Sequence, residues 1–371
     1  MRVAIIVNSY PPRMGGLELH VQNLAHGLAA QGHRVWVLTI AEETGSRHDD
    51  NVAVLTGRSH LPIAEVISFP SVGATRKIAT FLRRNRIDIA STHTRFFPLS
   101  FAGLRAAQAA GVPVIHTEHG SDFVASRSPV IALGSRAVDL TLGRYVLRHA
   151  NQVLAVSPQA ADFVERLSGV HATVFYNAIT PPDPSATHAD RPHHLVFVGR
   201  VVAGKGWEVF LDAIAALRAE GMTVDAELLG EGAELDIARR RAAELGLDAV
   251  VRIPGRVRQE EVRQSLDGAT LVNPTVLSEG FQTTLLEAIA EGGRVVTFEV
   301  PGAQLLRDSG APVIVCPERT ATSLVAALKE MISRPLPPAG KELITPWTWP
   351  VRAREYSQIA SEVVDRATGR D

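Results

Sequence analysis

Two groups of residues have the types and spacing for work on a phosphorylated sugar. The first is Ser278-Glu279-Gly280-Phe281-Gln282-Thr283-Thr284-Leu285-Leu286-Glu287. It follows the buried-strand run Thr270–Asn273 and Pro274 and continues into Ala288-Ile289-Ala290. Glu279 therefore falls in a strand-to-helix loop, and Glu287 about a turn inside the helix. Gly280 lets backbone approach a ligand closely, and the N–H groups and positive end of the helix favour a phosphate. Two carboxylates flanking such an anion site suit the hydroxyls of a sugar or ribose. The residues alone leave a second reading open, with Glu287 an acid stabilised in an early helical turn and Glu279 a solvated loop charge. The second group is Gly199-Arg200-Val201-Val202-Ala203-Gly204-Lys205-Gly206. Two fixed cations in a glycine-bearing turn after a strand make a diphosphate clamp, bidentate from Arg200 and point-like from Lys205, or else two solvated loop charges. It is neither a Walker loop, since no Ser or Thr follows the lysine, nor Gly-x-Gly-x-x-Gly.

Histidines form a third set. His116-Thr117-Glu118-His119-Gly120 follows the apolar run Val112–Ile115, and alternation puts His116 and Glu118 on one face. His119 and Gly120 then stand at the C-terminal end of the strand, where clefts form. His93, after Ile87–Ser91, is placed similarly and is a candidate acceptor contact. No pair has zinc-ligand spacing supported by cysteine or a helical His-x3-His, and there is no Asp-x-Asp for a metal-bound diphosphate. No metal and no other cofactor is expected.

Short apolar runs alternating with helical patterns must position these groups. Candidate strands are Val3–Val7, Arg34–Thr39, Ile87–Ser91, Val112–Thr117 and Gln152–Val156, then Leu195–Val198, Val224–Leu229, Val250–Ile253, Arg294–Phe298 and Val313–Cys316. Leu17, His20, Val21, Leu24 and Leu28 have the one-face spacing of an amphipathic helix. Strand-helix-strand repetition implies parallel sheets wrapped by helices, an α/β class. The proline-rich stretch 179–192 breaks the rhythm and reads as a linker. After it the opening pattern returns, with Gly16-Leu17-Glu18 answered by Gly206-Trp207-Glu208. Two such beginnings predict two Rossmann-like parallel-sheet lobes whose sheet ends face an interlobe cleft.

The 371 residues suit two domains, and 46% hydrophobic with 21% charged residues is the composition of a globular enzyme. A net charge of −1 provides no global field for nucleic acid. The lone Cys316 cannot form an internal disulfide, which fits a reducing compartment. No stretch reaches the roughly 18 apolar residues of a membrane span, so the expected place is the cytoplasm, or the cytoplasmic face of a membrane.

Together these motifs resemble the family 4 retaining glycosyltransferases of the GT-B fold (glycosyl transferases group 1). The resemblance rests on the Gly-Arg…Lys-Gly turn at Gly199, Arg200, Lys205 and Gly206, and on Glu-x7-Glu at Glu279 and Glu287. Gly15-Gly16-Leu17-Glu18-Leu19-His20-Val21, Gly32-His33-Arg34-Val35 and Gly230-Glu231-Gly232 also match, so the likeness runs almost the full length. It implies that Arg200 and Lys205 hold the donor diphosphate, that Glu279 binds the donor sugar and that Glu287 binds the ribose. Backbone at Gly280, Phe281 and Gln282 would approach sugar and phosphate, with Gly199 and Thr283 among the donor contacts and Val257 beside the base. Gly16 would present its N–H to the diphosphate from the first lobe, and Gly15 would meet the acceptor. His119 would lie near the reactive carbon. The implied lobes are 1–180 and 193–349, joined by 181–192, with the terminal helix 350–371 crossing back to the first lobe.

The chain departs from the family pattern at Gln282, where a Gly is usual, and at Val300-Pro301-Gly302, where a Gly-Gly pair is usual. The implied reaction is retaining transfer of a hexosyl-type sugar from a UDP- or GDP-linked donor to a hydroxyl of a glycan, glycolipid or small molecule. It would proceed by a front-side route in which the departing phosphate oxygen helps take the acceptor's proton. Cell-surface polysaccharide or glycolipid synthesis is the preferred setting, with natural-product glycosylation and a nucleotide-sugar epimerase as alternatives. Arg76, Lys77, Arg83, Arg84 and Arg86 lie in a stretch without acids, and with Ile78, Phe81 and Leu82 turned inward they would suit anionic lipid or simply a solvated helix face.

Overall fold

The computed structural model describes residues 1–13, 15–63, 67–123, 129–183, 185, 187–277 and 281–369. The chain divides into two compact units, Met1–Ala178 with Trp349–Asp371, and Ile179–Thr348.

In the first unit the strands are β1 (Arg2–Ile6), β2 (Arg34–Ala41), β3 (Gly45–Asp49), β4 (Val52–Ile63), β5 (Ile67–Pro70), β6 (Ile89–His93), β7 (Val114–Glu118), β8 (Gln152–Ala155) and β9 (Thr173–Val174). They form one sheet in the order β3-β4-β2-β1-β6-β7-β8-β9, with β5 added to β4. All neighbours run parallel except β3 with β4 and β4 with β5. The central strand β1 is apolar at every position from Val3 to Ile6 because both faces are covered. Val3 and Ile5 point to the side of helix Gly16–Ala30 and the terminal helix Trp349–Thr368, packing with Leu24, Leu28 and Tyr356. Ala4 and Ile6 point to the other side, among Leu82, Leu99 and Leu104. The terminal helix buries Trp349, Ala353, Tyr356, Ala360 and Val363, alternating steps of four and three that keep one stripe on this unit. Val351 and Ile359, at the edge of that stripe, are only half-buried.

β3, β4 and β5 are not among the expected strands, although β4 opens on the apolar run Val52-Ala53-Val54-Leu55. They form an antiparallel margin whose first strand, Gly-Ser-Arg-His-Asp, is almost wholly exposed and carries no apolar face to read.

The second unit holds β10 (His194–Val198), β11 (Asp225–Leu229), β12 (Val251–Gly255), β13 (Thr270–Asn273), β14 (Arg294–Thr297) and β15 (Val313–Val315). Their order is β12-β11-β10-β13-β14-β15, all parallel. Numbered from its own first strand this is 3-2-1-4-5-6, the doubly wound nucleotide-binding order. Phe197, Phe210, Ile214, Val272, Val296 and Leu328 share its core. The expected linker is instead part of this unit. Ile179 N–H donates to the Trp347 carbonyl (2.9 Å), and Arg191 Nε donates to the Asp267 carbonyl (2.9 Å). Prolines deny this segment regular structure, but side chains and single backbone bonds tie it down. Among the described residues no helix is long and apolar enough to cross a membrane.

Candidate active site

In a doubly wound sheet, ligands bind beyond the carboxyl ends of the strands where the order reverses. In the second unit that point lies between β10 and β13, which pair directly. The loop after β10 carries Gly199, Arg200 and Lys205; the loop after β13 leads to helix Thr283–Ala290. The two loops touch. Val276 N–H donates to the Gly204 carbonyl (2.9 Å), and Thr275 Oγ1 donates to the same oxygen (3.3 Å). Gly206 has φ +87, and a Cβ there would lie 2.3 Å from the Pro274 carbonyl oxygen, so only glycine permits this approach. Lys205, between these two glycines, thus stands beside Pro274–Val276, while Arg200 lies at the other end of the turn. Lys205 is half-buried and Arg200 exposed.

Arg200 lines a cavity of about 210 Å³ with Gly199, Gly230, Glu231, Arg256 and Val257. Val257, half-buried there, has the apolar surface a base ring would rest on. Glu287 is the fifth residue of its helix and accepts from Gln259 Nε2 (3.0 Å). Burial pushes its carboxyl above the usual range, with Arg263 and the Gln259 hydrogen bond opposing. Glu279 and Gly280 lie outside the described residues.

The flanks of that loop are tightly held. Phe281 is buried and stacks on Trp347, ring centroids 5.3 Å apart and planes 11° from parallel. Gln282 caps the helix start and accepts from Asn273 Nδ2 (2.7 Å), which also donates to Thr297 Oγ1 (3.0 Å). Thr283, the first helical residue, is half-buried. Neither the Trp347 stack nor the Asn273 bracket had a sequence signal, since each joins residues on different elements.

The first unit has its own reversal point, between β1 and β6. Gly15 caps helix Gly16–Ala30, and a Cβ added at Gly16 would meet nothing within 4 Å. Beyond β7, His119 is half-buried, with Nε2 3.2 Å from His93 Nδ1. His93 is fully buried; its other nitrogen is 3.1 Å from Ser91 Oγ, so any acceptor meets it through His119. His20, quoted in the opening motif without a role, packs its ring edge-on to His119 with centroids 4.6 Å apart.

Behind this loop lies a buried ionic cluster that sequence reasoning missed. Arg95 donates to Glu118 Oε1 (2.9 Å) and Asp139 Oδ2 (3.0 Å), all three side chains having 0% exposure. Glu118 Oε1 also accepts from the backbone N–H groups of His119 (3.0 Å) and Gly120 (2.8 Å). One carboxylate thereby shapes the turn that presents His119. Burial alone would raise the Glu118 pKa; Arg95, His116 and the Gly120 N–H outweigh it and bring it down to about 2.

Known proteins are similar to this chain in sequence and in fold. A profile described as Glycosyltransferase Family 4 matches residues 14–181, and one described as Glycosyl transferases group 1 matches residues 192–334. The chain belongs to this glycosyltransferase family. The GPI3 subunit of phosphatidylinositol N-acetylglucosaminyltransferase from Saccharomyces cerevisiae is 25% identical, covering 81% of this chain and 68% of that one. Glycogen synthase of Mycobacterium tuberculosis is 24% identical over 90% of this chain and 87% of its own length. Among solved structures, sucrose-phosphate synthase from Thermosynechococcus elongatus superposes with TM-score 0.73 at 19% identity, covering 98% and 99% of the two chains. The Anabaena protein Alr3699/HepE in complex with UDP does so with TM-score 0.67 at 17% identity, covering 100% and 99%. The fold is GT-B. As a glycosyltransferase of this fold, the chain carries its cations and helix start on the second Rossmann-like unit and His119 on the first.

Proposed function

We propose that this glycosyltransferase moves a hexosyl-type sugar from a UDP- or GDP-linked donor to a hydroxyl acceptor, with retention and without a metal ion. The observation that carries the donor reading is the contact between the Arg200–Lys205 turn and the segment before Thr283 at the switch point of one sheet. Arg200, Lys205 and the first-turn N–H groups then neutralise the diphosphate as it leaves. Its freed oxygen takes the acceptor's proton on the same face of the sugar. The cations do here what a metal does where Asp-x-Asp motifs bind diphosphate, which supports metal independence. Glu287, Val257 and Gly199 serve the nucleoside and diphosphate; Glu279, Gly280, Phe281, Gln282 and Thr283 serve the sugar and phosphate. Gly16 adds an amide to the diphosphate, while Gly15 and His93 belong to the acceptor side. His119 contacts the transferred sugar. The complexes of Alr3699/HepE with UDP and with UDP-glucose support a uridine donor first.

For the acceptor we propose a glycolipid or cell-surface glycan handled at the cytoplasmic membrane face. Helix Ala74–Arg84 buries Ala79 and Leu82 and exposes Arg76, Lys77, Arg83 and Arg84, with Arg86 exposed just beyond it. Val72, at 103% exposure, precedes it. Cations beside bare apolar side chains favour an anionic lipid surface over a merely solvated one. A thermal-shift screen against UDP, GDP, ADP and their sugars tests the donor reading. Ligand held at about 100 times its Kd stabilises by about 2.7 kcal/mol, so one nucleotide should raise Tm clearly. No shift with any of them ends the proposal. Conversion of donor sugar without an acceptor would instead favour an epimerase.

A further inference from the structure

We propose that His20, His93 and His119 form a site for one divalent transition-metal ion of the zinc or cobalt kind. The three imidazoles come from different elements, namely helix Gly16–Ala30, the end of β6 and the turn after β7. Each offers one nitrogen, and these atoms all lie within 4.8 Å of one another. His93 Nδ1 and His119 Nε2 are 3.2 Å apart. Two nitrogens about 2.0–2.1 Å from a tetrahedral zinc would be separated by about 3.3 Å. The pair stands close to ligand spacing already.

The decisive group is His20. Its Nδ1 donates to Asn177 Oδ1 (2.8 Å), which fixes the tautomer and leaves a lone pair on Nε2. That nitrogen is buried and has no hydrogen-bond partner among the described residues. His26, His116 and His194 also carry a buried nitrogen without a hydrogen-bond partner, but only on His20 does it fall within ligand distance of two further imidazoles. Metal-bound histidines ordinarily give their other nitrogen to a carbonyl or similar group. Asn177 does this for His20. Ser91 Oγ, itself accepting from the Tyr356 hydroxyl (2.7 Å), does it for His93 at 3.1 Å. The rings are held edge-on, His20 to His119 at 4.6 Å and to Trp349 at 5.0 Å between centroids.

The nearby Glu118 is engaged by Arg95 and backbone amides, so the donor set is nitrogen only. Nitrogen ligands select borderline metals over magnesium or calcium, which take oxygen. His119, half-buried, opens the way in. Because His119 is one ligand, an ion there competes with substrate and acts as an inhibitor; that clause alone rests on the role proposed above for His119.

Cobalt(II) titrated into the full-length protein, stripped of metal beforehand, tests the site through its visible absorption. The expected result is a saturable band at one ion per chain, displaced by zinc. His20→Asn and His93→Gln should each abolish the band while leaving the far-ultraviolet circular dichroism and Tm in place. Asn177→Ala should weaken cobalt binding about 10–100-fold through loss of ligand orientation. No saturable band, or a band that survives both histidine substitutions, overturns the site. The readout is independent of donor binding, so metal-free protein that binds UDP but rejects cobalt removes this inference and leaves the transfer reading intact.

Discussion

An ammonium group on a glycine turn is worth most when charge builds up beside it, and the proposed donor site puts a leaving diphosphate beside Lys205. Replacing Lys205 with Ala should cost about 2.7–4 kcal/mol of transition-state stabilisation, roughly a hundred- to a thousandfold in turnover. The half-buried side chain should leave Tm little changed. Steady-state rates with the donor found by thermal shift check this, and near-normal turnover would remove the clamp. Glu118 behaves differently, because it is structural first. Glu118→Ala strands the buried Arg95 guanidinium with Asp139 as its remaining carboxylate, and breaking a buried pair costs about 3–5 kcal/mol. A chemical-denaturation midpoint unmoved by that substitution would contradict the cluster's role. Cys316 should be silent. It is 4% exposed, and burial raises its thiol to about 11, so a disulfide reagent at neutral pH should label it only after unfolding. The place of Arg200 and Lys205 in the loop after β10 was legible because the apolar run Leu195–Val198 ends just before them. Glu118 could be placed only on a face with His116; nothing local announces that Arg95 will thread in from another loop.

At the scale of elements, the start of helix Thr283–Ala290 is braced by a layer that no local pattern reveals. Gly302 has φ +92, and a Cβ there would fall 2.4 Å from the Phe281 ring, which Trp347 holds on a stack. Gly302→Ala should therefore push Phe281 and the start of helix Thr283–Ala290 out of place. The expected destabilisation is about 1–3 kcal/mol, as for other overpacked sites. Nucleotide affinity measured by calorimetry should fall with it. Full nucleotide affinity in that variant would separate the brace from the binding site. The core strands of both sheets were readable because burial on two faces makes them continuous apolar runs. The outer strand β3 was not, because a strand exposed to water has no such constraint. Residues 179–192 were misread for a related reason: proline content predicts irregularity, and irregular backbone can still be anchored, as Arg191 is on Asp267.

For the whole molecule, the two-unit division was legible from the repeated opening, Gly16-Leu17-Glu18 against Gly206-Trp207-Glu208. The allegiance of the final helix was not, since its apolar stripe would fit any matching groove. Trp349, Tyr356 and Val363 complete the core of the first unit, so removal of residues 349–371 should destabilise that unit selectively. Hydrogen exchange followed by mass spectrometry should find lost protection in β1 and helix Gly16–Ala30, with β10 to β15 still protected; equal loss in both would contradict the division. The same connectivity orders events during synthesis. The second unit is contiguous and can close as soon as its last strand and following helix leave the ribosome. The first is built from both ends of the chain, and Tyr356, which bonds Ser91, is translated long after its partner. The half begun earlier is therefore the half finished later, leaving its apolar flank for a chaperone to shield until residues 349–371 emerge.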